Sequence, residues 1–332
     1  MKRIAVIGAG SWGTALSVMA ARAGNKVSIW ARNQSVARAI NTNHLNGVYL
    51  PDTLLPDEVR ATTNFAEALE GAELVILAAP SHATREILNT MATALPSQAI
   101  IVSATKGIEV ETGKRISEVV TEVLGDAFAT RFVCISGPSF AKEVACGHPT
   151  AIVAASADPG SNALVQSVLS SESLRLYTND DLIGTELGGS VKNVMAIAAG
   201  IVAGLGFGSN SIAALITRGL AETTRLAVQA GARIETLMGL AGLGDLVLTC
   251  TGGLSRNRFI GHELGRGRQL NDIVAGLNEV AEGVKTTKAV RSLAARLSVE
   301  MPITDEVYRV LYEGRAPLEA ASELMNRPLR GE

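Results

Sequence analysis

Aromatic residues, cysteines and an excess of charge of either sign are all scarce in this sequence. Only 4% of its 332 residues are aromatic, and 30 basic against 32 acidic side chains give a formal net charge of −2. Without a basic excess there is no electrostatic case for binding nucleic acid or an anionic membrane surface. The three cysteines are scattered without a Cys-x-x-Cys, and the four histidines show no metal-ligand spacing. We therefore expect a reducing compartment, no disulfide frame and no metal.

Long apolar runs are equally rare, and one of them dominates the chain. Residues 187–206 carry a single charge, Lys192, together with five glycines. Apolar residues recur there at helical spacing, while each glycine costs a helix about 1 kcal/mol relative to alanine. We interpret the stretch as a buried helix that presents Lys192, with Asn193 beside it, to a ligand. The alternatives are a membrane span, a structural helix whose lysine reaches solvent, and a helix–helix contact through small residues. The charged centre and the glycines argue against the span.

The N-terminal residues carry a glycine-rich turn between two structural elements. A strand over 3–7 leads into Gly8-Ala-Gly10-Ser-Trp-Gly13, a helix over 14–23 and a second strand over 26–30. In this context the glycines permit a tight turn, close approach of a pyrophosphate and tight helix packing, which predicts dinucleotide binding. The second strand ends in Ala31-Arg32-Asn33 without an acidic residue. Arg32 suits a 2′-phosphate, so NADP(H) is favoured and NAD(H) is possible.

Strands continue to alternate with helical runs up to about residue 180. Strands are predicted at 59–63, 74–78, 99–103, 131–135, 150–154 and 174–178. This alternation indicates a mainly parallel sheet covered on both faces, with ligands beyond the carboxyl ends of its strands. Lys106 lies in one such loop, where it would bind an anion or polarise a carbonyl, or simply be solvated. Ser139 lies in another and is expected to cap a helix.

No convincing strand follows residue 181, so we predict a dinucleotide-binding domain at 1–180 and a helical substrate domain at 181–332. Helices are expected at 183–204, 210–230, 258–265, 282–297, 304–312 and 318–325. The segment 243–258 is interpreted as a glycine-rich turn leading to Ser255 as a helix N-cap. Arg256 and Arg258 then lie in the first helical turn, where the helix dipole disfavours cations. A bound phosphate would relieve that conflict.

Taken together, these stretches resemble the bacterial NAD(P)-dependent glycerol-3-phosphate dehydrogenases over essentially the whole chain. The resemblance rests on six motifs in the family's order: the glycine turn already given, Ala104-Thr-Lys-Gly107, Ser136-Gly-Pro-Ser-Phe-Ala-Lys-Glu143, Leu187-Gly-Gly-Ser-Val-Lys-Asn193, Gly242-Leu-Gly-Asp-Leu-Val-Leu-Thr-Cys-Thr251 and Ser255-Arg-Asn-Arg258. It implies an α/β N-terminal Rossmann-like domain with a doubly wound sheet. An all-α domain like that of 6-phosphogluconate dehydrogenase would follow.

The resemblance also implies roles for individual residues. Lys192 would be the general base toward the C2 hydroxyl. The implied substrate contacts are Lys106, Gly137, Ser139, Lys192, Asn193, Asp245, Thr249, Ser255, Arg256 and Asn257. The last three would bind the phosphate of the substrate. The implied cofactor contacts are Gly8, Gly10, Ser11, Trp12, Gly13, Arg32, Lys106, Ala141, Arg256, Val280 and Glu282.

The function implied by the family is the reversible reduction of dihydroxyacetone phosphate to sn-glycerol 3-phosphate, which supplies phospholipid synthesis. A cytoplasmic homodimer without a membrane span is expected. Three alternatives remain: a β-hydroxyacid or 6-phosphogluconate-type dehydrogenase, a serine hydrolase through the Ser139-x-x-Lys142 pattern, and a nucleotide-sensing protein without catalysis. The hydrolase lacks its companion Ser-Asp-Asn and Lys-Thr-Gly motifs.

Overall fold

A sheet of short, strongly apolar strands forms the first of two units in this chain. The computed structural model describes residues 1–276, 281–328 and 331. The first unit comprises Met1–Lys106 and Lys114–Glu186, and the second comprises Gly107–Gly113 and Leu187–Glu332.

The sheet of the first unit contains eight strands within the described residues, in the order β10-β9-β8-β7-β6-β1-β2-β5. Neighbours are parallel except β8 and β9, which are antiparallel. A separate hairpin pairs β3 with β4. The strands are β1 Arg3–Ile7, β2 Lys26–Trp30, β3 Leu45–Asn46, β4 Leu50–Leu54, β5 Val59–Thr62, β6 Leu74–Leu77, β7 Ile100–Ser103, β8 Phe132–Ser136, β9 Thr150–Ala155 and β10 Leu174–Asn179.

Helices cover both faces of this sheet, because its central strands are apolar on both sides. In β1, Ile4 and Val6 join one buried cluster, whereas Ala5 and Ile7 join another. This is the period-two alternation of a strand that is buried on both faces. The helices of the unit are α1 Ser11–Arg22, α2 Gln34–Asn43, α3 Phe65–Leu69, α4 Ser81–Met91, α5 Ile116–Leu124, α6 Asp126–Ala129, α7 Ala141–Ala145 and α8 Pro159–Leu169. The doubly wound, mainly parallel sheet expected from the sequence is confirmed.

From Leu187 onward, the described residues of the second unit form helices joined by turns, without a strand. Its helices are α9 Leu182–Gly204, which begins in the first unit, α10 Ser209–Gln229, α11 Ile234–Met238, α12 Asp245–Thr251, α13 Arg256–Gly265, α14 Leu270–Ala275, α15 Glu282–Arg296, α16 Pro302–Tyr312 and α17 Pro317–Met325. The six helices predicted from the sequence are present to within one or two residues. The prediction of a glycine-rich turn at 243–258 is wrong in its first half. A π-helical turn, Leu240–Gly244, runs into α12 there.

The glycines of α9 are explained by a neighbouring helix. A Cβ at Gly200 would overlap the carbonyl oxygen of Arg258, and one at Gly204 would overlap that of His262. The partner helix α13 is equally dependent on small residues, since a Cβ at Gly261 would overlap the Ile197 carbonyl oxygen. The close approach inferred from the sequence is therefore made here by backbone, through the helix–helix contact given as an alternative.

Helix α9 is also long and apolar enough, by length and composition, to cross a membrane. However, 83% of its most apolar window is buried inside the fold. Leu187, Val191, Val194 and Ile197 are almost completely buried. This burial is typical of a core helix. The apolar residues that recur at helical spacing are those that pack inside the fold.

Candidate active site

The carboxyl ends of neighbouring strands meet at one edge of the sheet. Ile7 pairs with Leu77, and Leu77 pairs with Ser103, so β1, β6 and β7 end level with one another. The chain leaves β1 for β2 on one side and returns to β6 on the other. Such a topological switch point is where doubly wound sheets bind their ligands.

The glycine turn occupies this switch point with the geometry that a dinucleotide requires. Gly8 has a φ of 120°, and a Cβ on it would lie 2.9 Å from the Ala78 carbonyl oxygen. A Cβ at Gly13 would overlap the Gly8 carbonyl oxygen, so the helix packs directly on the turn. Gly10, by contrast, has nothing within 4 Å of its Cβ position. It precedes α1 as an N-cap without a side-chain hydrogen bond. The open approach to a helix N-terminus fits a pyrophosphate.

Trp12 and Ala141, both implied cofactor contacts, lie beside the same small apolar cluster around Ala145. The Nε1 atom of Trp12 is buried and has no hydrogen-bond partner among the described residues. Ser11 Oγ donates to the Tyr49 carbonyl oxygen at 2.5 Å. A buried indole N–H normally finds an acceptor, so this part of the turn fits a bound group that supplies one.

Asn46 supports the glycine turn and was missed by the sequence reasoning. Its buried Nδ2 donates to the Ala9 carbonyl oxygen at 2.9 Å and to Thr14 Oγ1 at 2.8 Å. Asn46 and Tyr49 lie in the β3–β4 hairpin region, which was not predicted. The signal was available, because Asn46-Gly47 is a typical hairpin-turn dipeptide. The short strands on either side hid it.

Arg32 follows β2 directly, at the position expected to decide between the two dinucleotides. Its side chain is exposed, as is that of the next residue, Asn33. Asn33 caps helix α2 by accepting from Ser35 N at 2.9 Å. The asparagine is therefore committed to the helix, while the guanidinium is displayed to solvent.

Lys106, Gly137 and Ser139 are brought together by two loops at the same sheet edge. Lys106 Nζ donates to the Gly137 carbonyl oxygen at 3.1 Å, and Ser139 Oγ donates to that oxygen at 2.9 Å. Gly137 has a φ of 140°, and a Cβ there would lie 3.0 Å from Ile152 Cα. The expectation that Ser139 caps a helix is wrong, because α7 begins at Ala141 with Phe140 as its N-cap.

The Ser139–Lys142 pair required by the hydrolase alternative does not form. Lys142 Nζ instead donates to Asp52 Oδ2 at 2.7 Å, on an exposed part of the unit. The hydrogen bond and charge of Asp52 raise the pKa of Lys142. Because its amine is bound to Asp52, Lys142 does not contact Ser139, as the base that activates a catalytic serine must.

In the helical unit, Lys192 lies in a buried polar cluster with two residues of α12. Its Nζ donates to Asp245 Oδ1 at 2.5 Å and to Thr249 Oγ1 at 2.8 Å. Lys192 is 6% exposed and Asp245 1% exposed. Thr249 Oγ1 also donates to the Asp245 carbonyl oxygen at 2.6 Å, one helical turn back. The family resemblance implied that each of these residues contacts the substrate, and α12 places Asp245 and Thr249 on the face that meets Lys192.

Asn193, next to Lys192, faces a second pair of helices. Its Oδ1 accepts from Asn257 Nδ2 at 3.0 Å, and Asn257 Oδ1 accepts from Gly283 N at 3.0 Å. Both asparagines are buried. Glu282, an implied cofactor contact, begins α15 immediately before Gly283. Val280, the other implied contact here, lies outside the described residues.

Helix α13 begins where the sequence indicated. Ser255 is its N-cap and accepts from Arg258 N at 3.2 Å. Arg256 is exposed in the first turn, which contains no acidic residue. The Nε of Arg258 is buried without a hydrogen-bond partner among the described residues. Two cations at the positive end of a helix dipole fit an anionic ligand.

The thiol of Cys250, in α12, is not suited to catalysis. Burial raises the pKa of Cys250 to about 12, so its thiol stays protonated and unreactive. Within residues 1–276, 281–328 and 331, no group of three or more His, Cys, Asp or Glu side chains is placed to hold a metal. The buried amine of Lys192 is the group that stands out.

Comparison with known proteins identifies the family. The sequence model described as the NAD-dependent glycerol-3-phosphate dehydrogenase N-terminus matches residues 3–162, and that of the C-terminus matches 181–322. This chain belongs to that family. It is therefore an oxidoreductase that uses a nicotinamide dinucleotide.

Individual relatives agree along the whole chain. The glycerol-3-phosphate dehydrogenase [NAD(P)+] of Koribacter versatilis is 53% identical over 330 residues, which cover 99% of this chain and 98% of that protein. The one from Nitratidesulfovibrio vulgaris strain DP4 is 50% identical, with 99% and 100% covered. The crystal structure of glycerol-3-phosphate dehydrogenase from Coxiella burnetii superposes with a TM-score of 0.94 at 41% identity, covering 98% of this chain and 99% of that one.

Proposed function

We propose that this enzyme reduces dihydroxyacetone phosphate to sn-glycerol 3-phosphate and catalyses the reverse reaction. The observation that carries the proposal is the buried Lys192–Asp245–Thr249 cluster, in a chain that also has a dinucleotide-binding turn. Such an amine can donate the one proton that the ketone oxygen takes up during reduction. The bound dinucleotide supplies or takes up the hydride.

Lys192 acts as the general acid in reduction and as the general base in oxidation. Its ammonium donates a proton to the C2 oxygen as that oxygen gains negative charge. The Asp245 carboxylate, 2.5 Å from Nζ, favours the charged amine and so keeps the proton available. Thr249 fixes the amine from a second direction. In the reverse direction the neutral amine accepts the proton of the C2 hydroxyl.

The phosphate of the substrate binds at the start of α13. Ser255, Arg256 and Asn257 bind this phosphate, and Asn193 is a further substrate contact. The absence of acidic residues from this first turn and its helix dipole support the assignment. Lys106, Gly137 and Ser139, which share one carbonyl oxygen, serve as additional substrate contacts.

The dinucleotide binds at the glycine turn of the α/β unit, with its pyrophosphate on the N-terminus of α1. The proposed contacts are Gly8, Gly10, Ser11, Trp12, Gly13, Arg32, Lys106, Ala141, Arg256, Val280 and Glu282. NADP(H) is favoured over NAD(H), because the exposed Arg32 suits a 2′-phosphate and no carboxylate stands at the end of β2 to repel it.

The first experiment mixes the purified enzyme with dihydroxyacetone phosphate and follows NADPH and NADH absorbance separately. Loss of NADPH absorbance supports the reaction, and faster turnover with NADPH than with NADH supports the role of Arg32. In Arg32→Ala the ratio of turnover with NADPH to turnover with NADH should fall toward one. No loss with either dinucleotide, alongside tight NADPH binding, would mean that the helical unit takes another substrate.

Two substitutions test the residue roles. Lys192→Ala should abolish turnover while NADPH binding survives, whereas Lys285→Ala, an exposed lysine of α15, should leave turnover unchanged. Arg256→Ala should raise KM for the phosphorylated substrate strongly. Arg266→Ala, at the other end of α13, is its matched control. Retained activity in the first variant, or an unchanged KM in the second, would contradict the assignments.

We also propose that the enzyme is a cytoplasmic homodimer whose product supplies phospholipid synthesis. Exposed large apolar side chains are concentrated in the helical unit, among them Phe207, Leu254 and Phe259, and such surfaces are typical of subunit contacts. All three cysteines are free thiols, which suits a reducing compartment. Light scattering of the purified protein would test the homodimer, and fractionation of cells would test the cytoplasmic location.

A further inference from the structure

Thr105 and Lys106 are neighbours in the loop after β7, and their side chains bond to two different loops. Thr105 Oγ1 donates to the Ala79 carbonyl oxygen at 2.9 Å, in the loop after β6. Lys106 Nζ donates to the Gly137 carbonyl oxygen at 3.1 Å, in the loop after β8. Because β7 lies between β6 and β8 in the sheet, the two bonds lead to opposite sides of β7. Together they join three adjacent loops at the carboxyl edge of the sheet.

The bond made by Thr105 reaches the backbone that supports the dinucleotide turn. A Cβ on Gly8 would lie 2.9 Å from the Ala78 carbonyl oxygen and 3.1 Å from Ala79 N. The peptide between those two alanines therefore packs directly against the turn. The carbonyl oxygen that Thr105 binds belongs to the next peptide along the chain. The hydroxyl of Thr105 thus connects Lys106 to the glycine turn through a short run of backbone.

This hydroxyl is buried, and it continues the hydrogen bonding between two strands into their loops. The backbone bond from Ala104 N to the Leu77 carbonyl oxygen, at 2.8 Å, lies at the end of the ladder between β6 and β7. Thr105 is 8% exposed and Ala79 is 7% exposed. Thr105 Oγ1 also lies 3.4 Å from the Leu77 carbonyl oxygen, but a hydroxyl has one hydrogen, and the shorter contact takes it. Removal of the hydroxyl would leave the buried Ala79 carbonyl without this donor, which is costly.

We propose that Thr105 is a positioning residue for Lys106. Its hydroxyl holds the loop that carries Lys106 at a fixed place relative to the dinucleotide turn, and so aligns the substrate with the cofactor. The proposal rests on the proposed function, because it takes Lys106 to contact both the substrate and the dinucleotide. Thr105 belongs to the motif Ala104-Thr-Lys-Gly107, but it is not among the contacts assigned above. Displacement of a positioning group by about 1 Å can lower a rate by about two orders of magnitude.

The test compares kcat/KM for dihydroxyacetone phosphate in wild type, Thr105→Val and Thr105→Ser. Valine keeps the branched shape of threonine without the hydroxyl, whereas serine keeps the hydroxyl without the methyl group. We expect kcat/KM to fall about tenfold in Thr105→Val, because one buried hydrogen bond is lost. In Thr105→Ser it should stay near the wild-type value. An unchanged kcat/KM in Thr105→Val, or an equal fall in Thr105→Ser, overturns the proposal.

Thr121→Val is the matched control for the loss of a threonine hydroxyl. Thr121 lies in α5, and its Oγ1 donates to the Ser117 carbonyl oxygen at 2.9 Å. The substitution therefore removes a bond of the same kind and length from the same unit. Its kcat/KM should equal that of wild type. A similar fall in Thr121→Val and Thr105→Val would indicate general loosening of the unit and would overturn the positioning role.

A double-mutant cycle tests whether Thr105 acts through Lys106. If it does, Thr105→Val should lower kcat/KM about tenfold in the wild-type background and hardly at all in a Lys106→Ala background. Equal falls in both backgrounds overturn the proposal. Thr105→Ala, which also lacks the hydroxyl, takes the place of Thr105→Val in the cycle if the valine variant does not fold. If wild type does not reduce dihydroxyacetone phosphate at all, the proposed function is refuted, and the role of Thr105 with it.

Discussion

Replacing Lys192 with methionine should destabilise the enzyme as well as inactivate it. The substitution removes the ammonium that lies 2.5 Å from Asp245 Oδ1 and leaves that carboxylate 1% exposed. Breaking a buried ion pair by removing one partner typically costs about 3–5 kcal/mol, because a buried charge loses its compensation. Whole domains are stable by only about 5–15 kcal/mol, so the loss should be obvious.

The assay is urea unfolding followed by circular dichroism, with the free energy of unfolding extrapolated to water. Lys114→Met is the matched control, since Lys114 makes a salt bridge of 2.8 Å to Glu122 at the surface. Exposed pairs contribute about 0–1 kcal/mol, so this control should unfold almost like wild type. The double variant Lys192→Met with Asp245→Leu should lose less stability than Lys192→Met alone.

The reasoning would be refuted if the two buried substitutions had simply additive costs. Additivity would mean that the amine and the carboxylate do not compensate each other in the fold. It would equally be refuted if Lys192→Met lost no more stability than Lys114→Met. The thermodynamic result does not depend on the reaction, so it tests the buried pair independently of turnover.

Three further predictions concern the cofactor turn, pH and packing. Asn46→Ala should raise the dissociation constant of NADPH about tenfold, because a buried carbonyl of the glycine turn loses its donor; Asn41→Ala, which breaks a similar bond elsewhere, should not change that constant. Burial raises the pKa of Glu222 above 4.5 in the fold, so the folded state binds more protons and stability falls as pH rises from about 4.5 through the folded pKa. Urea unfolding at several pH values should show that the free energy of unfolding of wild type falls relative to that of Glu222→Gln as pH rises through this range. A rise of the wild-type value relative to the variant would contradict the predicted direction. Gly200→Val should abolish or strongly weaken cooperative thermal unfolding, because its side chain would overlap the backbone of Arg258; a melting temperature like that of wild type would show that the helices can separate.

Local patterns predicted the sheet and the long helices because both depend on the sequence of neighbouring residues. The alternation of short apolar strands with helical runs, and the turn from Gly8 to Gly13, need no information from elsewhere in the chain. The segment 243–251 was harder, since its glycines favour a turn while Asp245 and Thr249 need a helix. The helix prevails because α12 packs into the unit and buries Leu246 and Cys250. A local reading cannot weigh that tertiary contribution.

The site itself depends on pairings that are distant in sequence. Lys192 and Asp245 are separated by 53 positions, and Asn193 and Asn257 by 64. No periodicity predicts such a pairing, and the family motifs indicated only that the residues belong together. The Gly283 N–H carried no sequence signal at all, because a backbone donor is the same for every residue except proline.

The glycines of α9 show how packing and chemistry are joined. Their cost to the helix suggested a ligand near the backbone, whereas Gly200 and Gly261 meet the backbone of the opposite helix. This close crossing fixes α9 against α13 near the start of α13. Asn193 lies two turns before Gly200 on α9, and Asn257 lies one turn before Gly261 on α13, so the crossing brings the two amides within hydrogen-bond distance. A bulkier residue at the crossing would separate the helices and break the amide contact. The glycines therefore act on the site through the spacing of two helices.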